Sequence, residues 1–300
     1  MRFECMSNSV VAAVVVPIGP GRESALDTLD SIDHYCAESH MVVVVDDCTT
    51  DGTYEALVAA KKPNWYILRN SQFMGRDRLV HSLAKGYRFV LQQLSCPLIF
   101  RLDQDALLIK AGVISDALAY GNAHREVGLF GVYECDYDRP RSYEVHRKLI
   151  NKEVRWYRRL LGLQPSWNDL LRRAERRGYQ RGDNVFGGAY FLTLDCLEGM
   201  DRLGALDVPY NWNSRLMEDV YFSMAAVAAG FKLGHFAAPD GPLCLEWRGL
   251  PHPAAQLAQS HFKVVHSVDR GQNTGRDSNN STTAREVFAS IRQHERADIG

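Results

Sequence analysis

Short apolar runs and stretches with helical periodicity alternate along the first part of the chain. Five runs rich in β-branched residues are predicted strands: Val10–Val16, Met41–Val45, Trp65–Arg69, Leu98–Leu102 and Val127–Tyr133. Apolar residues recur at helical spacing between these runs, and the longest predicted helix extends from about Asp77 to Leu94. Strands and helices that alternate in this way predict an α/β fold, with a mostly parallel, Rossmann-like central sheet flanked by helices.

The pattern changes between Asp138 and Gly182, where positive charge accumulates. This segment holds 13 Lys/Arg against five Asp/Glu, and Trp156–Leu161 and Leu170–Arg177 have the pattern of amphipathic basic helices. Two interpretations stay open. The segment is either a solvated helical insertion, or a lid or docking surface for an anionic partner, such as an acceptor phosphate or an anionic membrane surface.

Strand and helix patterns return after the insertion. Val185–Thr193 and His261–Val268 are predicted strands, and Val220–Ala229 is a predicted helix that ends at Gly230. The last residues, 270–300, are polar, and we expect them to form a mobile tail with a short helix.

Composition narrows the class of protein. The formal net charge is −1, so no overall field favours nucleic acid as a partner. The seven cysteines form no C-x-x-C pair, which is typical of reduced thiols and not of a disulfide frame or a zinc site. No apolar run reaches about 18–20 residues, and the run that ends at Val16 lacks the flanks of a signal peptide. We therefore expect a cytoplasmic protein, either free or peripheral to a membrane.

Carboxylate pairs follow two of the predicted strands. Asp46 and Asp47 end the second strand, and Asp103 and Asp105 end the fourth. Residues i and i+2 of an extended segment point to the same side, so Asp103 and Asp105 can converge on one point. Neighbouring carboxylates repel each other, and a hard divalent cation is the simplest compensation. Because the carboxyl ends of parallel strands line one cleft, both pairs are expected to face that cleft.

Four motifs stand in order along the chain: Pro17-Ile18-Gly19-Pro20-Gly21, Val45–Asp51, Asp103-Gln104-Asp105, and Gly187-Gly188-Ala189 ahead of Glu218-Asp219. This ordered set resembles the GT-A glycosyltransferases, and among them the family-2 group of inverting, nucleotide-sugar-dependent enzymes. The resemblance covers residues 9–268. It implies one GT-A domain, 1–269, with a nucleotide-binding half at 9–135, the basic insertion at 138–182, and an acceptor and catalytic half at 183–269.

The resemblance also implies an activity. A sugar would pass from a nucleotide-sugar donor, expected to be a UDP-sugar, to a hydroxyl of an unknown acceptor that is a glycan, a lipid-linked molecule or a protein. Asp103 and Asp105 would hold Mn²⁺ or Mg²⁺ at the donor diphosphate. Asp219 would be the general base that takes the proton of the acceptor hydroxyl, and Glu218 would contact sugar hydroxyls.

On the donor side, the resemblance assigns the nucleotide contacts to loops at the strand ends. Asp47, or else Asp46, would accept a hydrogen bond from the base, and Pro17 belongs to the first of these loops. Gly187 and Gly188 would line the sugar pocket with backbone, where a side chain would intrude.

Further candidates carry alternatives of their own. His266 is the expected additional metal ligand, with His261 and His252 as weaker choices, and a locally paired histidine is the alternative for His266. Arg76 and Arg78 would contact the base or a phosphate, unless they are surface arginines at the start of a helix.

Some features depart from the family pattern. The second loop has Cys48-Thr49-Thr50 where serine is more usual, and the first loop lacks the common Tyr-Asn pair. The Q-x-x-R-W signature of processive members is absent, which favours one transfer per encounter.

Two alternative functions stay open. One is a sugar nucleotidyltransferase, although Pro17–Arg22 has a poor glycine pattern for it. The other is an inactive glycosyltransferase-like binding module, which has no chemical need for all four acidic residues of the D-x-D and Glu-Asp motifs.

Overall fold

The computed structural model describes residues 10–75, 78–137, 139–163, 165–209, 212, 214–269 and 283–299. The strands are β1 (Ala12–Ile18), β2 (His40–Asp46), β3 (Trp65–Arg69), β4 (Leu98–Leu102), β5 (Ala106–Leu108), β6 (Val127–Gly131), β7 (Cys135–Asp136), β8 (Arg139–Pro140), β9 (Ala189–Thr193), β10 (Lys232–His235), β11 (Leu243–Leu245) and β12 (Val264–His266). The helices are α1 (Arg22–Tyr35), α2 (Thr53–Ala60), α3 (Leu79–Gln93), α4 (Val113–Ala123), α5 (Glu144–Glu153), α6 (Trp156–Leu160), α7 (Asn168–Glu175), α8 (Leu194–Arg202), α9 (Glu218–Ala229), α10 (Ala254–Gln259) and α11 (Ala284–Ile299).

The central sheet has seven strands in the order β10-β6-β9-β4-β1-β2-β3. β9 runs antiparallel to both of its neighbours, β4 and β6, and the other neighbouring pairs are parallel. The mostly parallel α/β sheet predicted from the sequence is therefore confirmed. The carboxyl ends of β1, β2 and β4 lie along one edge, where the predicted acidic motifs emerge.

The central strands are buried on both faces, as their continuous apolar runs predict. Val14 packs in the cluster that includes Leu29 of α1, whereas Val15 faces the opposite cluster with Leu83 of α3. α3 lies so close to the sheet at Gly86 that a Cβ atom there would come within 2.6 Å of Val15. These two apolar layers hold the sheet between helices and fix the positions of the strand ends.

A second, smaller sheet has the order β11-β12-β5 and continues directly from the D-x-D segment. β12 pairs parallel with β11 and antiparallel with β5. This sheet joins the end of the domain to the exit of β4, so that residues more than 150 positions apart in sequence become neighbours. Residue pairing over such a distance is not visible in local sequence patterns.

The described part of the basic insertion contains three helices, α5, α6 and α7. Two of them coincide with the predicted basic helices. Ile150, Trp167 and Leu171 are buried in the same cluster as one face of the central sheet, so the inner side of the insertion belongs to the main core. Within the described residues, no helix is both long and apolar enough to cross a membrane.

The segment expected to be a polar tail contains the 16-residue helix α11. Phe288 is buried under the small sheet, and the buried Arg292 pairs with Asp27 and Asp30 of α1. The helix is longer than the sequence suggests, because its charged residues find partners on a distant helix. Residues 270–282 lie outside the described part of the chain.

Candidate functional site

The D-x-D segment connects the two sheets. β9 runs antiparallel beside β4 and brings Gly188 to Asp103, whose backbone N–H donates to the Gly188 carbonyl oxygen at 2.7 Å. β12 runs antiparallel beside β5 and places His266 opposite Ala106, next to Asp105. β9 thus places Gly187 and Gly188 beside the D-x-D carboxylates, and β12 places His266 beside the same pair.

Asp103, Asp105 and His266 form a cluster with the composition of a metal site. Their ligand atoms all lie within 4.8 Å of one another. Asp105 is fixed by Ser267, whose Oγ donates to Oδ2 at 2.8 Å, and by the Val268 N–H, which donates to the Asp105 carbonyl oxygen. The predicted cluster of two carboxylates and His266 is therefore assembled by the fold.

The tautomer of His266 fits a role as ligand. Its Nδ1 lies 2.9 Å from the carbonyl oxygen of Glu246, so Nδ1 carries the hydrogen, and the neutral ring then has its lone pair on Nε2. Nε2 in turn lies 3.1 Å from Oδ1 of Asp105. Nε2 and the carboxylate oxygen are therefore close enough to bind one metal cation together. An O, O, N donor set suits Mn²⁺, while Mg²⁺ prefers oxygen ligands throughout.

The other two candidate histidines have different surroundings. His252 Nε2 lies 2.6 Å from the Tyr137 hydroxyl, and His261 packs its ring against Phe262. Neither belongs to the cluster of Asp103, Asp105 and His266.

The diglycine is required by close contacts on both sides. Gly188 has a φ of +86°, and a Cβ atom there would lie 2.9 Å from the His266 ring. A Cβ atom on Gly187 would lie 3.0 Å from Nη1 of Arg101 and 3.1 Å from Oε1 of Glu218. A side chain at Gly188 would therefore displace the His266 ring, whereas one at Gly187 would require small shifts of Arg101 and Glu218.

Arg101 is a buried cation that the sequence analysis missed. It lies on β4 with 0% of its surface exposed. One nitrogen, Nη2, lies 2.6 Å from Asp103 Oδ1 and 3.0 Å from Glu218 Oε1. Burial alone would lower the pKa of Arg101, but these two carboxylates outweigh it and raise that pKa. An arginine inside an apolar strand pattern was the available signal, because a buried charge requires partners.

The Glu-Asp motif begins α9 and enters the same region. Asp219 accepts hydrogen bonds from the Asn184 side chain at 2.8 Å and from the Gly187 and Val220 backbone N–H groups at 3.2 and 2.7 Å. Its position in the first turn of a helix is favourable for a carboxylate. Asp219 is thus held in one orientation by two donors from the 184–187 segment and by the N–H of the next residue in α9.

Glu218 has different electrostatic surroundings. Burial raises the pKa of Glu218 to about 7, and the charges of Asp219 and Asp103 act in the same direction, while Arg101 opposes them.

His146 of α5 also interacts with Asp219: burial lowers the pKa of His146, and the charge of Asp219 partly offsets this effect. His146 gave no sequence signal, because it lies in a helix of the insertion far from any motif.

Two cavities meet at this site. The large cavity, of about 1020 Å³, is lined by the loops after β1 and β2, the D-x-D segment, Asp269 and Arg285. The small cavity, of about 400 Å³, is lined by Gly187, Gly188, Glu218, Asp219 and His266, together with Phe186, Trp247 and the 215–217 loop. Asp103 and Leu79 line both cavities. The predicted motifs therefore line two adjacent cavities that share Asp103 and Leu79.

The two neighbouring aspartates at the end of β2 point in different directions. Asp47 lines the large cavity and accepts hydrogen bonds from the Met74 and Gly75 N–H groups and from Asn70. Asp46 is fully buried and bonds to Thr49 of its own loop. Burial raises the pKa of Asp46. Of the two alternatives left open by the sequence, only Asp47 reaches the cavity.

The remaining candidates lie around the large cavity. Pro17 lines it directly. Arg78 is the N-cap residue of α3, between the lining residues Gly75 and Leu79, but is not itself part of the described lining. Arg76 lies outside the described residues.

Two further side chains fix the D-x-D loop. The middle residue, Gln104, accepts a hydrogen bond from the Gly19 N–H at 2.8 Å and donates to the Gly21 carbonyl oxygen at 3.0 Å. Arg285 of α11 donates to the Gln104 carbonyl oxygen at 2.7 Å and pairs with Asp269. Neither residue could be identified from local sequence, because both act across long sequence separations.

No protein-family model matches the chain, and no curated protein matches it. Among solved structures, it resembles the mannosyltransferase PcManGT from Pyrobaculum calidifontis, solved with GDP-Man and Mn²⁺, with 16% identity, a TM-score of 0.50, and coverage of 98% of this chain and 77% of that one. It also matches TarS from S. aureus, with 16% identity, a TM-score of 0.45, and coverage of 76% of this chain and 35% of that one. The likeness to the mannosyltransferase confirms the predicted GT-A-like fold.

Proposed function

We propose that this protein is a metal-dependent glycosyltransferase that moves a sugar from a nucleotide-sugar donor, a UDP-sugar, to an acceptor hydroxyl. One observation carries the proposal. Asp103 lines two adjacent cavities, of which the large one also has Asp105 in its wall and the small one has His266, Glu218 and Asp219, and the candidate metal cluster of Asp103, Asp105 and His266 joins the two walls. A group-transfer enzyme needs such an arrangement, because donor and acceptor must meet at one point.

The large cavity would bind the nucleotide. Six carboxylates and two arginines are among its described lining residues, so an anionic diphosphate would be repelled without a compensating cation. Asp103, Asp105 and His266 would hold Mn²⁺, which would stabilise the negative charge that develops on the leaving diphosphate. Asp47 would accept a hydrogen bond from the N–H group of the base.

The small cavity would hold the transferred sugar and the acceptor hydroxyl. Asp219 would accept the hydroxyl proton, and its three hydrogen-bond donors keep the carboxylate oriented for that task. Glu218 would contact sugar hydroxyls. Attack from the side of Asp219, opposite the leaving diphosphate, would invert the configuration of the sugar, with one transfer per encounter.

The acceptor hydroxyl belongs to a larger molecule or a membrane, which also needs a docking surface. The basic insertion would dock it, and its positive charge fits either an anionic membrane or a phosphorylated acceptor. α5 connects the insertion to the small cavity, because Glu153 accepts hydrogen bonds from Ser214 Oγ at 2.6 Å and from the Arg215 N–H at 2.9 Å. Arg215 lines the small cavity.

Thermal unfolding with nucleotides tests the donor site. UDP together with Mn²⁺ is expected to raise the Tm of the protein, while UDP with EDTA or Mn²⁺ alone has a smaller effect. GDP and CMP in parallel samples test the choice of base, and Mg²⁺ tests the choice of metal. Transfer or hydrolysis of the matching nucleotide sugar is then measured. If no nucleotide binds with metal, the proposal is wrong; if nucleotide binds but no sugar is released from any donor, the protein is a binding module.

A further inference from the structure

The tip of the basic insertion presents an exposed apolar face. We define this face by Trp156, Tyr157, Leu160, Leu161 and Leu163. Trp156 and Leu160 are each 75% exposed, and Leu161 is 65% exposed. Trp156 and Leu160 are four residues apart on α6, so they lie side by side on the same helix surface. Isolated exposed apolar residues are common, but five within eight positions concentrate apolar surface in one short segment, which favours a partner.

The charges around this face are almost all positive. Residues 144–163 contain six Lys/Arg and two Glu. Glu144 pairs with Lys148 at 2.7 Å and offsets its charge, and Glu153 is buried against Ser214, so the remaining Lys/Arg residues leave the segment positive. Lys152 and Arg155 are exposed on the segment that leads into α6. The tip thus combines tryptophan and leucine with a basic border on a chain of nearly neutral overall charge.

We propose that this tip docks on the surface of an anionic phospholipid bilayer. Tryptophan and leucine side chains favour the boundary between headgroups and acyl chains, and lysine and arginine are attracted by anionic headgroups. The short α6 is suited to shallow insertion and not to crossing the bilayer. A bilayer binds exposed apolar and basic side chains without requiring shape complementarity.

The position of the tip gives the docking a consequence for the acceptor, and this step rests on the proposed function. α6 begins three residues after Glu153, whose carboxylate fixes the wall of the small cavity at Ser214 and Arg215. Docking of the tip would therefore bring the small cavity toward the membrane surface. The acceptor class that this arrangement favours is a hydroxyl carried by a membrane lipid.

Flotation with vesicles tests the docking without any sugar transfer. The full chain is mixed, in buffer with EDTA and without nucleotide, with vesicles of phosphatidylcholine alone or of phosphatidylcholine with phosphatidylglycerol. We expect binding to the anionic vesicles and much weaker binding to the neutral ones. The double variants Trp156→Ser/Leu160→Ser and Lys152→Gln/Arg155→Gln should each reduce the partition by about tenfold or more.

A matched variant controls for unspecific effects. Val58 and Lys61 are an exposed apolar residue and an exposed basic residue at the far end of α2, so Val58→Ser/Lys61→Gln should bind anionic vesicles like the parent protein. Absence of binding to anionic vesicles, or equal binding by all variants, would overturn the docking. Self-association that Trp156→Ser/Leu160→Ser abolishes, without vesicle binding, would assign the face to a second copy of the chain. Because the assay needs no nucleotide, its failure is distinguishable from failure of the donor test.

Discussion

At the scale of single residues, Glu218 and Asp219 show how neighbours in sequence acquire different roles. Asp219 accepts hydrogen bonds from three N–H donors, while Glu218 shares the buried cation Arg101 with Asp103. Both side chains are buried, and burial raises the pKa of Glu218. The two carboxyl groups therefore differ mainly in their partners, which are N–H donors for Asp219 and a guanidinium for Glu218.

This difference predicts the effect of removing the proposed base. Asp219→Asn keeps the size of the side chain but cannot take a proton, so turnover should fall by about 10²- to 10⁴-fold. Affinity for Mn²⁺ with nucleotide, measured by calorimetry, should stay within a factor of about two, because Asp219 is not in the large cavity. Full activity of Asp219→Asn would reject this residue as the base.

Glu218 predicts a pH dependence of stability. Burial raises its pKa to about 7 from a usual value of 4.5. Between these values the folded chain holds a proton that the unfolded chain has released. The resulting stabilisation is fully present below pH 4.5 and is lost as the pH rises through 7, by up to about 3 kcal/mol. Denaturant unfolding in EDTA should show this slope in the parent protein and a flatter profile in Glu218→Gln. Parallel profiles would contradict the assignment.

Gly188 predicts a specific loss of metal affinity. In Gly188→Ala, the new Cβ atom would push against the His266 ring, so affinity for Mn²⁺ should fall by about 10- to 100-fold. Gly178 is a matched control: its φ is +92°, but no described atom lies within 4 Å of its Cβ position. Gly178→Ala should lose about 1–2 kcal/mol of folding free energy from the backbone conformation alone and keep its metal affinity. Equal Mn²⁺ affinities in the two variants would show that the contact with His266 is unimportant.

At the scale of elements, α11 links the end of the chain to the D-x-D loop. Arg285 bonds to the Gln104 carbonyl oxygen, to Asp269 and to Asp27, whereas Arg296 pairs with Asp30 near the surface. Arg285→Met should weaken the binding of UDP with Mn²⁺ by about tenfold and destabilise the protein by about 2 kcal/mol.

Arg296→Met is the control on the same helix. It removes an exposed pair and should cost less than about 1 kcal/mol, with unchanged nucleotide affinity. Both quantities are measured by calorimetry and chemical unfolding. Equal effects of the two substitutions would mean that α11 stabilises the fold without supporting the loop.

The sequence predicted those elements that have a local pattern. β3 and β4 have the predicted bounds, and α9 ends at Ala229, as predicted, with Gly230 at φ +108° as its C-cap. The antiparallel position of β9 between β4 and β6 was not predicted, because strand order depends on pairing between distant segments. The length of α11 was underestimated because the partners that bury it lie on α1 and under the small sheet.

At the scale of the whole molecule, the candidate site was predictable where its residues lie at strand ends. Asp47, Asp103 and Asp105 could be placed in one cleft from topology alone. Arg101, Gln104 and Arg285 could not, since each acts by joining segments that only the folded chain brings together. The motifs thus predicted which strand ends line the cavities. The side chains that join these segments became visible only in the structure.

Arg101 couples the charge of Asp103 to that of Glu218. Its Nη2 pairs with both Asp103 of the candidate metal cluster and Glu218, so the charge at one carboxylate influences the other. A cation at Asp103 adds positive charge near Glu218 and lowers its pKa, which lies near neutrality without metal. Metal binding near pH 7 should therefore release a fraction of a proton. Calorimetric titration of Mn²⁺ in buffers of different ionisation enthalpy should detect this release in the parent protein, and Glu218→Gln should remove most of it.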